Sequence, residues 1–263
     1  MGKLQIISAS ERMAERRGVK ALVCGLAGIG KTTLLKTLDP DTTLFLDFEA
    51  GDLAVSDHPV DQVRPETWDE CRNLAAFLAG PDRNAPDDAV YGRRHYEYAL
   101  SIYGDSDINK YQTYFIDSLT VASRLCLRWS QQQPEASNSK GVPDMRSAYG
   151  LLGREMVAFI TQLQQVRDKN VIFVCLMNEN KDEFGRKTYD LQLEGSKIAR
   201  EAPGIVDELI TMAMIEPTAE APGYRAFITD PGNHAGYPAK DRSGKLDPIE
   251  EPNLGKLLSK LTN

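Results

Sequence analysis

Positive charge is in short supply in this 263-residue chain. Thirty-one lysines and arginines stand against 38 aspartates and glutamates, and the formal net charge is −7. That excludes a generally basic nucleic-acid coat. It leaves room for a local groove, because phosphate contacts need only a few well-placed cations. Long apolar runs are also missing. None approaches the length of a membrane span, and the opening residues Met1-Gly2-Lys3-Leu4-Gln5 lack the extended apolar stretch of a secretory signal. Cysteine is sparse: Cys24, Cys71, Cys126 and Cys175 are widely spaced and form no CxxC pair. Buried reduced thiols are therefore expected, not a disulfide framework. His58, His95 and His234 have no metal-binding spacing. Together these absences lead us to expect a cytoplasmic protein with no membrane partner. What is present is an ordinary globular composition, 41% hydrophobic and 26% charged. The length suits one α/β domain with insertions.

Short apolar runs alternate with amphipathic ones. Val19 to Cys24 reads as a buried strand feeding a glycine loop, and Lys31 to Leu38 as the helix after it. Thr43 to Phe48 is a second strand, and Thr67 caps a helix reaching Leu78. Residues 80–109 hold Pro81, Pro86 and four tyrosines. They read as an insertion with one short helix, Tyr91 to Ile102, whose tyrosines suit a small core of their own or, as the lesser alternative, stacking on bases. Tyr114 to Asp117 is a third strand, followed by a helix from Val121 to Trp129 and a polar loop, Gln131 to Pro143. Leu152, Met156, Phe159, Leu163 and Val166 recur at helical spacing, and Val171 to Met177 is a fourth strand. Later strands, Glu208 to Ile215 and Arg225 to Thr229, lead to a closing helix marked by Leu254, Leu257, Leu258 and Leu261. This alternation predicts an α/β fold with a mainly parallel sheet flanked by helices on both faces.

The chemistry is concentrated after the first strand. Gly25-Leu26-Ala27-Gly28-Ile29-Gly30-Lys31-Thr32, followed by Thr33, fits the phosphate-loop pattern G-x-x-x-x-G-K-[ST]. Glycines let the backbone wrap an anion closely, and successive N–H groups converge on it. On this pattern Gly25, Ala27, Gly28, Ile29, Gly30, Lys31, Thr32 and Thr33 bind nucleotide. Lys31 reaches the β- and γ-phosphates of ATP, and the Thr32 hydroxyl holds Mg²⁺. Asp117 ends the third strand, where a carboxylate lies beside the loop and holds the same ion. It equally suits a helix-capping aspartate. Glu49 stands just past the second strand, at the rim to which parallel strands deliver their C-terminal ends. It is the expected group that orients or deprotonates the attacking water, with Lys31 assisting. Asp47 lies two residues earlier, and only one of the two acids need face the nucleotide.

The order of these parts resembles a RecA-type recombinase core. It most closely resembles the small phage-encoded ATPases of that superfamily, which act in recombination and single-strand annealing. Pro238-Ala239-Lys240-Asp241-Arg242 carries the K-x-R form of a pair found in RecA-like and KaiC-like rings and filaments. The resemblance implies that Lys240 and Arg242 act in trans on a neighbouring subunit's γ-phosphate, hence a homo-oligomer. It implies that residues 131–147 and 179–197 are DNA-binding loops, with single-stranded DNA as partner. Asn178 then falls where RecA has a γ-phosphate-sensing glutamine. Within the second loop Lys181, Arg186, Lys187 and Tyr189 are the residues suited to DNA, although nearby Glu179, Asp182, Glu183 and Asp190 nearly balance the charge. A solvated polar hairpin fits that stretch equally. The resemblance spans residues 19–242 and offers no counterpart for the 80–109 insertion. Residues 1–18 form an N-terminal arm that suits docking on a neighbour or packing on its own sheet. The leading expectation is a Mg²⁺-dependent ATPase that binds single-stranded DNA in phage-type recombination or annealing. The alternative is a nucleotide-driven oligomeric switch that ignores DNA. A small-molecule kinase ranks lower, since no arginine-rich lid is visible.

Overall fold

The computed structural model describes residues 6–138, 140–217 and 222–262. Residues 1–5 of the arm and residue 139 of the first proposed DNA loop lie outside these. A short helix, α1 (Ala9–Ala14), precedes β1 (Lys20–Gly25). Two strands follow, β2 (Thr43–Asp47) and β3 (Asp61–Val63), then helices α2 (Trp68–Ala79) and α3 (Arg93–Tyr103). β4 (Thr113–Asp117) leads into α4 (Leu119–Gln131) and the long α5 (Met145–Gln164). β5 (Asn170–Lys181) turns into β6 (Lys187–Leu191), followed by α6 (Ser196–Ile205) and β7 (Glu208–Ile215). β8 (Tyr224–Ile228), β9 (Lys240–Asp241), β10 (Ile249–Glu250) and α7 (Leu254–Thr262) complete the chain.

The strands form one sheet in the order β10-β8-β7-β1-β5-β4-β2-β3, with β6 joined to β5 and β9 to β7. From β3 through β7 every neighbouring pair on this path is parallel, whereas β8 and β9 run against β7. The period-two alternation of strand side chains divides the core in two. On β1, Leu22 and Cys24 face one layer, which Trp68, Leu125, Met156 and Ile198 cover from α2, α4, α5 and α6. Ala21 and Val23 face the other, covered by Leu34 and Leu35 and by the leucines of α7. The central strands are apolar on both sides because both sides are dry.

Several expectations are confirmed. Thr67 caps α2 in a full capping box with Glu70. The four cysteines are free and buried. Burial pushes Cys24 up to about 11 and Cys175 up to about 12, and it raises Cys71 and Cys126 further. None of them supplies a thiolate near neutral pH.

Other expectations need correcting. The segment after the phosphate loop is a six-residue 3-10 helix, Thr32–Thr37, not an α-helix to Leu38. Asp39-Pro40 stops it within two turns, and the tighter helix is the form that short pieces adopt. The insertion does not build its own core. α3 packs on α2, Tyr91 is buried in the main core, and Tyr103 packs on Phe77 with ring centroids 5.6 Å apart. Of the two readings of 179–197 the structure has the polar hairpin: β5 runs on to Lys181 and pairs residue by residue with β6, and a short connection leads from Leu191 to α6. The described residues of the arm bury no apolar side chain of α1 against the sheet. No residue of α1 is buried, and Ile6, Ile7 and Met13 are exposed. The arm is held by ion pairing of Glu15 with Arg167 at 2.8 Å and by Arg16 donating to Gln112 at 2.9 Å.

At the start of β7, Glu208 is only 2% exposed and pairs in register with Asp241 of β9. Burial pushes its carboxyl up to about 7, and the Asp241 charge adds to the rise. Burial would raise Asp241 too. Hydrogen bonds from the Ser243 hydroxyl and the Leu246 and Gly244 amides outweigh that and hold it low. A carboxyl raised in the folded state stabilises the fold below its unfolded value near 4.5, and that contribution is lost as pH rises through about 7. Glu208→Gln should therefore be more stable than the parent at pH 8 by about 1–2 kcal/mol and no more stable at pH 4. Chemical denaturation across that range checks it; equal pH slopes for the two proteins would contradict it.

Candidate active site

β1 delivers its last residue, Gly25, to the rim of the sheet between β5 and β7. The loop turns there through Gly28 at φ 76° and Gly30 at φ 105°, where a side chain would be strained. Lys31, 7% exposed, folds back over the loop. Its Nζ donates to the carbonyls of Gly25 at 3.0 Å and Leu26 at 2.9 Å. An ammonium has three donors, so one remains for an incoming anion, and the other two can exchange carbonyl for phosphate oxygen. Burial lowers the Lys31 pKa, and the Asp117 charge opposes that. A triphosphate would meet a weakly hydrated cation already in place. The following helix has only six residues, so little of the attraction comes from a helix dipole.

Parallel pairing of β4 with β5 and β2 carries Asp117 to the same rim, level with Val174 and Asp47. The Thr32 hydroxyl donates to Asp117 Oδ2 at 2.6 Å. Burial pushes Asp117 up to about 6; the Thr32 hydrogen bond works against this and the Glu49 charge adds to it. A divalent cation would relieve that buried carboxylate, and Thr32 and Asp117 are the hard oxygen donors magnesium takes. Among the described residues no group of three His, Cys, Asp or Glu side chains could hold a metal. When bound at Thr32 and Asp117, such an ion neutralises developing phosphate charge.

Of the two rim acids, Asp47 is buried and taken up by Arg64, whose Nε donates to it at 3.1 Å. Glu49 is exposed and accepts a 2.5 Å hydrogen bond from the Ser118 hydroxyl. Ser118 also caps α4, so it ties the carboxylate of Glu49 to the residue beside Asp117. Its link to Glu49 depends on β2 and β4 being neighbours, which no local signal reveals.

The remaining sequence-predicted residues are not all brought to this rim. Asn178 is exposed on β5, just where that strand leaves β1 and starts to pair with β6. The hairpin beyond it carries Lys181, Arg186 and Lys187, all exposed. Lys187 is paired with Glu179 at 3.0 Å. Tyr189 stacks on Tyr237 with centroids 4.5 Å apart, so its ring is already covered on one face. Phe184 at the tip, which sequence reasoning passed over, is 82% exposed. Lys240 and Arg242 lie at the opposite end of the strands, where β9 meets the first residues of β7, about 13 Å of strand away from the loop. Lys240 donates to the carbonyls of Pro203 and Val206, both at 2.7 Å, and Arg242 pairs with Asp207 at 2.8 Å. They fasten the end of α6 to β9, and a trans role would require breaking those bonds.

The AAA domain family matches residues 17–243. The chain belongs to the AAA domain family. It is thus a nucleotide-hydrolysing P-loop ATPase domain, built on a mostly parallel sheet flanked by helices. The chain is also similar to a KaiC-like protein from the hyperthermophilic archaeon Pyrococcus horikoshii OT3, at 14% identity, with 81% of this chain and 78% of that one covered and a TM-score of 0.38. A second similar structure is a prototypical ATPase from the type III secretion system of pathogenic bacteria. It is 14% identical, with 75% of this chain and 51% of that one covered and a TM-score of 0.41. The chain thus matches about half the length of the secretion ATPase. No curated protein matches the chain. Among the described residues no helix of this AAA domain is long and apolar enough to cross a membrane.

Proposed function

We propose that this ATPase uses Mg²⁺ and ATP to act on single-stranded DNA, in recombination or strand annealing of the phage type. The observation that supports this most is the tip of the β5–β6 hairpin. β5 flanks β1 at the phosphate loop and continues past the rim, and its tip exposes Phe184 beside Arg186, with the guanidinium 5.8 Å from the ring centroid. An exposed ring with an adjacent cation holds unstacked bases without regard to sequence. Asn178, at the junction of strand and hairpin, is the position through which nucleotide state would reach that tip.

The experiment is ATPase rate and DNA binding with and without single-stranded DNA, in the parent and in Phe184→Ala. DNA should raise the rate, and binding should weaken as salt rises. The variant should lose about tenfold or more in DNA affinity, as one stacked base predicts, while its DNA-free rate is unchanged. An ATPase indifferent to DNA, with no salt-sensitive binding, would sink the proposal.

A second function, a nucleotide-driven assembly switch, is favoured by a different observation. Leu53, 87% exposed, and Leu26 both present apolar surface near the nucleotide rim, and acidic residues nearly balance the hairpin cations. Sedimentation with a non-hydrolysable ATP analogue separates the two, since a switch would assemble without DNA.

A further inference from the structure

Arg225 approaches the phosphate loop from the side opposite Asp117. β8 runs against β7, so its first residues lie at the rim where β1 delivers the loop. Arg225 pairs with Met214, and Phe227 pairs with Met212. Residues two apart on a strand share a face. Phe227 and Met212 belong to the core layer that also holds Leu34 and Leu35, just after the loop. Arg225 therefore lies on the phosphate-loop face of the sheet, one step beyond that core toward solvent, and it is exposed. Its guanidinium rests against Gly30. A methyl group on Gly30 would lie 2.9 Å from Nη1 of Arg225 and 3.5 Å from its Cζ.

We propose that Arg225 is a nucleotide-binding residue that holds the α- and β-phosphates in cis, from the β8 side of the loop. This rests on the chain being a P-loop ATPase. Asp117 and Glu49 stand on the β2–β4 side of the site with no cation paired to them among the described residues, Asp47 beside them being held by Arg64, and Lys31 is the cation buried within the loop. A triphosphate entering that field needs a second positive group on the far side. Arginine supplies it as a planar fork that matches phosphate oxygens. In a phosphate loop the backbone cradles the α- and β-phosphates while the lysine serves β and γ. A guanidinium lying on the backbone of Gly30 therefore serves the phosphates common to ADP and ATP.

The test is calorimetric titration of ADP and of a non-hydrolysable ATP analogue into the full chain, its Arg225→Ala and Arg225→Lys variants, and Lys31→Ala. Arg225→Ala should weaken both nucleotides by the same factor, about tenfold or more, the loss of one charge-assisted contact. Arg225→Lys should recover part of that, and the melting temperature without nucleotide should not change. Parental ADP affinity in Arg225→Ala, with affinity lost in Lys31→Ala, would overturn the role of Arg225 and leave the ATPase intact. Parental affinity in both variants would overturn the phosphate loop itself. A loss confined to the ATP analogue would overturn the assignment to α and β, and a lowered melting temperature that lysine does not rescue would make Arg225 merely structural.

Discussion

Lys31→Ala is expected to abolish ATP turnover and to weaken nucleotide binding by roughly two to four orders of magnitude. The figure follows from two charge-assisted contacts, one each to the β- and γ-phosphates, at about 1.5–3 kcal/mol apiece. The fold should survive. The ammonium is buried in the free protein, which lowers its pKa, and its two partners are carbonyls of the loop itself. Removing it takes away a burial penalty along with two hydrogen bonds. Titration with a fluorescent ADP analogue, alongside a thermal melt, checks both halves. Near-parental affinity in a folded Lys31→Ala protein would remove the basis for every other role assigned at this rim.

Glu49→Gln should act on a different quantity. Glu49 is bonded to Ser118. Its proposed task is to orient or accept a proton from the attacking water, which matters only in the transition state. Turnover should fall by about 10²–10⁴-fold, the usual range for a positioned general base, with KM little changed. Ser118→Ala keeps the carboxylate but releases its tether, so its loss should be smaller and should again fall on kcat. Steady-state kinetics at saturating Mg²⁺ and ATP measure both. A Glu49→Gln enzyme with parental kcat would show that another group handles the water. Asp47 is a poor substitute, because Arg64 already holds its carboxylate at the edge of the sheet.

Local signals served well where the governing physics is local. The phosphate loop is a contiguous pattern of glycines, lysine and threonine. Thr67 with Glu70 is a capping box within four residues, and the apolar runs of β1, β4 and β5 are long enough to be read directly. Local signals failed where a neighbour far along the chain decides. The polar run from Glu179 to Lys187 is equally compatible with a loop. It is a hairpin because β5 is anchored in the sheet and its extension finds β6 in register. Tyr91 and Tyr103 suggested a self-contained insertion, yet α2 offers them a larger apolar surface than the insertion could build. Lys240 and Arg242 read as a pair reaching a neighbouring subunit, and only the docking of β9 beside α6 shows what they hold within the chain.

By itself the sequence determined that a phosphate-loop pattern stands at a strand-to-loop junction, and that the strand lies within a largely parallel sheet. Both follow from contiguous residues whose backbone freedom and polarity leave few alternatives. Tertiary structure alone decided which side chains surround that junction. Asp117 reaches Thr32 because β4 lies two strands from β1, Ser118 grips Glu49 because β2 lies next to β4, and Arg225 reaches Gly30 because β8 runs back against β7. The order in which strands pair is set by how whole layers bury their apolar faces, a property of the assembled sheet that no short stretch of chain contains.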